Sequence, residues 1–170
     1  MKDVHMTQPP QALKPPALDP ATVPVKTGSD YPEPFKAAVA GRERRALGDA
    51  LGLENFGVNF TRLPPGNASS QRHWHSRQDA FIYIVEGEVV LVSDAGEQVL
   101  SAGMVAGFPA NSGDGHQLIN RSERDVIYLE VGDRASGDQC DYPDLDMLVR
   151  WIDGKEKYVH KDGTPYPGQE

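Results

Sequence analysis

The residues of this 170-residue chain best suited to chemistry are three of its five histidines, His73, His75 and His116; the others are His5 and His160. His73 and His75 are two apart, so on a strand both imidazoles emerge on one face while Trp74 points the other way. His116 lies about forty residues on, on another strand that a barrel can bring alongside. Any one of these histidines alone reads as a satisfied core or surface residue. As a set they read as a metal site, because three imidazoles suit zinc, iron, nickel, copper or manganese and leave positions open for water or a substrate. No general base can be named: Asn59, Thr61 and Gln117 do not titrate usefully, and the catalytic residues stay unknown.

The elements that must position these histidines are strands. Phe56, Val58 and Phe60 alternate with Gly57, Asn59 and Thr61 until Pro64-Pro65-Gly66 ends the run. Asp79 to Glu86, Val89 to Val92, Glu97 to Leu100, a short run between Gly103 and Pro109, His116 to Asn120 and Asp125 to Val131 follow, separated by Gly, Pro and Asp turns. Met147 to Ile152 is a further strand, and an Asp162-Gly163 turn precedes Tyr166. Short strands at such regular spacing indicate an all-β antiparallel sandwich or barrel. Pro34 to Ala40 predicts a short helix, and Arg42 to Glu54 an irregular stretch or weak edge strand broken by Gly48 and Gly52. The aromatic tail, with Trp151, Tyr158 and Tyr166, should pack on the body.

Residues 1–34 carry eight prolines, which block both helix and central strand. This is an arm, either disordered or laid across the barrel or a neighbouring subunit through Leu13, Leu18, Val23 and Val25. Residues 35–170 then form a single domain. The formal charge of −8 repels phosphate backbones, which argues against nucleic acid. Arg42, Arg44 and Arg45, interrupted by Glu43, could hold an anion but read more simply as solvated surface. One cysteine, Cys140, excludes an intrachain disulfide. With no apolar leader and no stretch of membrane-spanning length, the expectation is a cytoplasmic protein without a membrane partner.

These residues resemble the cupin superfamily of small jelly-roll barrels, or double-stranded β-helices. Gly66, His73, His75 and Gly87 stand in the places of the family's first motif, with one extra residue between Gly66 and His73. Gly103, Pro109, Gly113, His116 and Asn120 match its second, with two extra residues between Pro109 and Gly113. With the intervening strands they cover about residues 56–132, and Asp162-Gly-Thr-Pro-Tyr166 is similar to the C-terminal sequence of a group of small bacterial single-domain cupins. The resemblance implies a cupin barrel with a Pro-rich arm and C-terminal strap, a homodimer, and a divalent metal (zinc, iron, nickel or manganese) on His73, His75 and His116. One position departs. Relatives in this group read Asp-Glu-Phe where this chain has Asp79-Ala80-Phe81, so Ala80 replaces the metal-binding glutamate. Asp79 should face away with Phe81 and Tyr83, reaching a metal only through a bulge.

Three readings remain open. The chain is a metalloenzyme of isomerase, lyase or dioxygenase type acting on an oxygenated, anionic small molecule, because three neutral imidazoles leave an ion's full charge uncancelled. Or it is a non-catalytic small-molecule binding barrel that has lost its metal, as Ala80 suggests. Or arm and tail build an oligomer, with Phe81, Tyr83 or Trp74 outward and in need of cover.

Overall fold

In the computed structural model, which describes residues 13–169, the chain is almost entirely β. Its strands in chain order are β1 (Lys26–Thr27), β2 (Glu43–Ala46), β3 (Phe56–Leu63), β4 (Trp74–His75), β5 (Ala80–Glu86), β6 (Glu88–Ser93) and β7 (Gly96–Ser101). They continue with β8 (Val105–Phe108), β9 (Gln117–Ile119), β10 (Val126–Asp133), β11 (Cys140–Tyr142), β12 (Met147–Ile152) and β13 (Lys155–Val159). They form three antiparallel sheets of order β1-β2-β3-β10-β5-β8, β7-β6-β9 and β13-β12-β11-β4. This is the all-β antiparallel architecture expected from the strand spacing and the jelly-roll implied by the resemblance.

Alternation along β5 explains how the first sheet closes on the second. Ile82 and Ile84 are buried, whereas Phe81, Tyr83 and Val85 are 43%, 40% and 41% exposed. The inward set joins Leu63, Val89, Leu91, Leu100, Leu118, Val126 and Tyr128 in the main core. At the β5–β6 turn Gly87 has φ +84°, and a Cβ there would lie 2.7 Å from the Asp125 carbonyl oxygen, so both torsion and space demand glycine.

A second core joins the arm to the tail: Tyr31, Val39, Tyr142, Met147, Val149 and Tyr166. Of the expected arm anchors, Val23 is buried, while Leu13 and Val25 are exposed. The described part of the arm, residues 13–34, thus lies on its own chain, tied by β1 pairing with β2 and by Arg45 donating to the Val23 carbonyl. Met1–Ala12 lie outside the described residues. In the tail, Tyr166 donates from its hydroxyl to the Asp146 carbonyl at 2.6 Å and stacks on His160. Trp151, expected to pack, is instead 51% exposed.

Two expectations need correction. The helix predicted over residues 34–40 is only a 3-10 turn at Ala37–Val39 without a side-chain cap, because so few residues cannot offset helix nucleation. In residues 42–54 the strand alternative holds at β2, which is not an edge because it pairs on both sides, with β1 and β3, and a short helix α1 (Leu47–Ala50) follows. Strand pairing overrode the weak local preference, and Gly48 lets α1 lie against β3, since a Cβ there would meet the Val58 nitrogen at 2.8 Å. Strands β11 and β13 have no counterpart in the sequence reading. Among the described residues no helix is long and apolar enough to cross a membrane.

Candidate metal centre

His73 and His116 are brought together by the backbone itself. The His73 N–H donates to the His116 carbonyl at 3.2 Å and the His116 N–H donates back at 2.8 Å, an isolated antiparallel bridge between the two sequence motifs. His75 ends β4, which pairs with β11 so that His75 stands opposite Cys140. The His73 ring centroid lies 5.0 Å from that of His75 and 4.8 Å from that of His116.

Hydrogen bonds set the tautomers of two of these rings. His73 Nδ1 is 2.9 Å from the Gln71 carbonyl, and His75 Nδ1 is 2.6 Å from Asp138 Oδ2. In each case Nδ1 must carry the proton, which leaves the lone pair on Nε2. His116 stacks on Phe108 with centroids 3.7 Å apart, and its buried Nδ1 has no hydrogen-bond partner among the described residues. Burial, followed by the neighbouring imidazoles, pushes His116 down to about 2; burial and then His75 push His73 down to about 4. Both rings are therefore neutral at ordinary pH, as metal ligation requires. Neutral rings, fixed tautomers and an orphaned buried nitrogen fit a divalent ion.

The tightest set of ligand-type atoms among the described residues is a different one, His75, Asp138 and Cys140, all within 4.8 Å of one another. Its chemistry is that of support. Asp138, only 7% exposed, accepts from His75 and also from the Arg77 N–H at 2.7 Å and the Ser76 hydroxyl at 3.2 Å. Burial alone would raise its carboxyl, but the hydrogen bonds from His75 and Arg77 outweigh it and hold it below its usual value. Burial and then Asp138 push the Cys140 thiol well up. A carboxylate on the far nitrogen of an imidazole is a common way to aim a metal ligand.

The three histidines line one cavity of about 560 Å³, together with Ala80, Ile82, Tyr128, Glu130, Lys26, Arg42 and Arg44. That volume suits a small ligand. Ala80 does face inward, beside Phe108 and Gly132. Asp79 does not substitute for a glutamate at that place: its Oδ1 accepts from the Ala110 N–H at 2.7 Å, pinning the loop before His116. Asn120 proves to be a structural staple, fully buried, donating to the carbonyls of Leu63 and Arg124 at 2.7 Å each.

Sequence reasoning missed Asp138, Glu130 and Lys26, and placed Arg44 on solvated surface. Glu130 was legible in principle, since alternation from the buried Val126 and Tyr128 puts it on the inward face. Its register partners are Asn59 on β3 and Ile82 on β5, and no ion pair of its carboxylate is formed among the described residues. Asp138 had no local signal, because its partner His75 lies 63 residues away.

Residues 59–132 match the family model of the cupin domain. Among solved structures, the chain is similar to a sugar phosphate isomerase of the cupin superfamily from Silicibacter pomeroyi. The two share 41% identity over 91% of this chain and 99% of that one, with a TM-score of 0.86. A provisionally assigned sugar phosphate isomerase from Acidithiobacillus ferrooxidans is 26% identical over 71% of this chain and 77% of its own, with a TM-score of 0.67. The polyketide cyclase from Streptomyces resistomycificus shares the fold at 20% identity, covering 70% of this chain and 79% of its own, with a TM-score of 0.57. A comparison with the curated proteins gives no match. Two spaced motifs meeting at one backbone bridge, a jelly-roll, and 41% identity over nearly the whole length of a cupin lead to one conclusion: the chain belongs to the cupin superfamily.

Proposed function

We propose that this protein carries out metal-dependent chemistry on a small, oxygenated, anionic molecule, with His73, His75 and His116 as the metal ligands. The observation that carries this reading is the set of three imidazoles on one cavity, two of them with Nδ1 engaged and the lone pair therefore on Nε2, that of His75 lying 4.0 Å from the Cys140 sulfur. A divalent ion held there would supply Lewis-acid polarisation. Within the cavity the chain's own residues divide the work. Asp138 holds His75 in one tautomer. Glu130, whose carboxylate forms no ion pair among the described residues, takes and returns a proton at a carboxylate oxygen. Phe108 keeps one side of His116 dry. Of the reaction types open to such a site, the names of the two sugar phosphate isomerase relatives support isomerisation by proton transfer next to a carbonyl.

Ala80 favours a second reading, a binding barrel without a metal, because the cavity lacks a carboxylate where the family's motif has one. One experiment separates the two. Untagged protein prepared without added metal should hold about one ion per chain, and His73→Ala should hold none. The native protein should exchange solvent deuterium into the carbon next to the carbonyl of ketose phosphates, with Glu130→Gln and chelated protein inert. An empty native chain with no exchange would overturn the enzyme reading in favour of the binding barrel. Residues 35–170 are taken as one domain with residues 1–34 as its arm, and the outward row of Phe81, Tyr83 and Val85 supports a homodimer.

A further inference from the structure

The rim of the same cavity carries two cations that the fold leaves without partners. Lys26 on β1 stands directly opposite Arg44 on β2, and Arg44 stands opposite Thr61 on β3, which stands opposite Tyr128 on β10. Directly opposed residues share a face, and the buried Tyr128 shows that this face is the inner one. Like charges set opposite each other across a strand pair are unfavourable. Among the described residues no carboxylate pairs with either cation. Arg62, Arg72, Arg121, Arg134 and Arg150 each pair with a carboxylate. Neither Lys26 nor Arg44 makes a side-chain hydrogen bond or ion pair among the described residues, in a chain whose acids outnumber its bases by eight. Asp49, which feels both charges, is engaged by Arg134. Asp30 and Glu130 line the cavity with them but pair with neither. The two cations also border the adjoining hollow, which shares His75, Ala80 and Glu130 with the first, so both face its mouth.

We infer that Lys26 and Arg44 form a subsite for a phosphate monoester, in a cavity that Thr27, Ser69 and Ser70 also border. Two unpaired cations match a dianion. The guanidinium can grip two phosphate oxygens at once, and the ammonium adds a point charge. A carboxylate ligand would leave one cation uncompensated. The orientation of such a substrate, phosphate at the rim and the oxygenated carbon end towards the histidines, rests on the metal-centre reading above; the phosphate subsite itself does not.

The test is the affinity of glycerol phosphate, against glycerol as control, for native and Lys26→Met/Arg44→Met protein, each with and without chelator. The methionines keep the apolar stems, and the melting temperature reports folding. The subsite predicts binding of glycerol phosphate but not glycerol to the chelated native protein, and at least a tenfold loss in the double variant at unchanged metal content. No binding by the native protein, or equal affinity in native and double variant, would overturn it. So would binding lost on chelation yet kept in the double variant, since that places the phosphate on the ion. The metal content of the same samples reports on the metal centre separately, so an empty site with a tenfold phosphate effect would sink the centre and leave the subsite standing.

Discussion

The two ends of the cavity are built on opposite plans. At the histidine end the side chains are held from behind: His73 by a backbone carbonyl, His75 by Asp138, His116 by stacking on Phe108 and by the backbone bridge to His73. At the rim, no side-chain partner among the described residues restrains Lys26 or Arg44, and the strands that carry them set their place. Rigid support suits an ion, whose ligand nitrogens must sit at fixed distances from one point. Loose support suits a molecule that arrives and leaves, and long cationic side chains can follow it. The contrast also separates stability from function, since the rim can change without disturbing the packing while the histidine wall cannot.

The largest expected effect tests how far the wall depends on its scaffold. Asn120→Ala removes the donor of one buried and one part-buried hydrogen bond, which should cost about 2–4 kcal/mol and lower the melting temperature by roughly 5–15 °C. A scan showing little change would mean that water replaces the amide and that the wall is less tightly built than described. Next comes the support of a single ligand. Asp138→Ala should lower metal affinity by about 10–100-fold through the loss of aim and basicity at His75, read by competition with a chromogenic chelator. Unaltered affinity would make Asp138 a loop clamp for Ser76 and Arg77 and nothing more. The smallest effect belongs to the rim. Lys26→Ala should shift unfolding free energy by no more than about 0.5 kcal/mol in a denaturant titration. A larger loss would erase the difference between the two ends.

Much of this was legible from local pattern. Period-two alternation located β3, and short runs of strand-forming residues between Gly, Pro and Asp turns located β5, β6, β7 and β10, because both signals are local and nothing distant is needed to see them. The failures have a common cause. The weak segment 42–54 became β2 only because β3 offers hydrogen bonds to it, and Cys140–Tyr142 became a strand only by lying between β4 and β12. Arg44 read as solvated surface because its neighbours Arg42 and Arg45 are basic, whereas pairing with β3 turned it towards the cavity.

By itself, then, the sequence determined the barrel, the face shared by His73 and His75, and the loss of a carboxylate at Ala80. The first two follow from residue identity and short-range periodicity, and the third from the resemblance to the cupin motif. Only the tertiary structure decided that Asp138 stands behind His75, that Glu130 shares the histidines' cavity and that Lys26 opposes Arg44. Each of these pairs lies 14 or more residues apart in the chain, and what joins them, a side-chain hydrogen bond for the first and strand register for the others, exists only in the closed sheet.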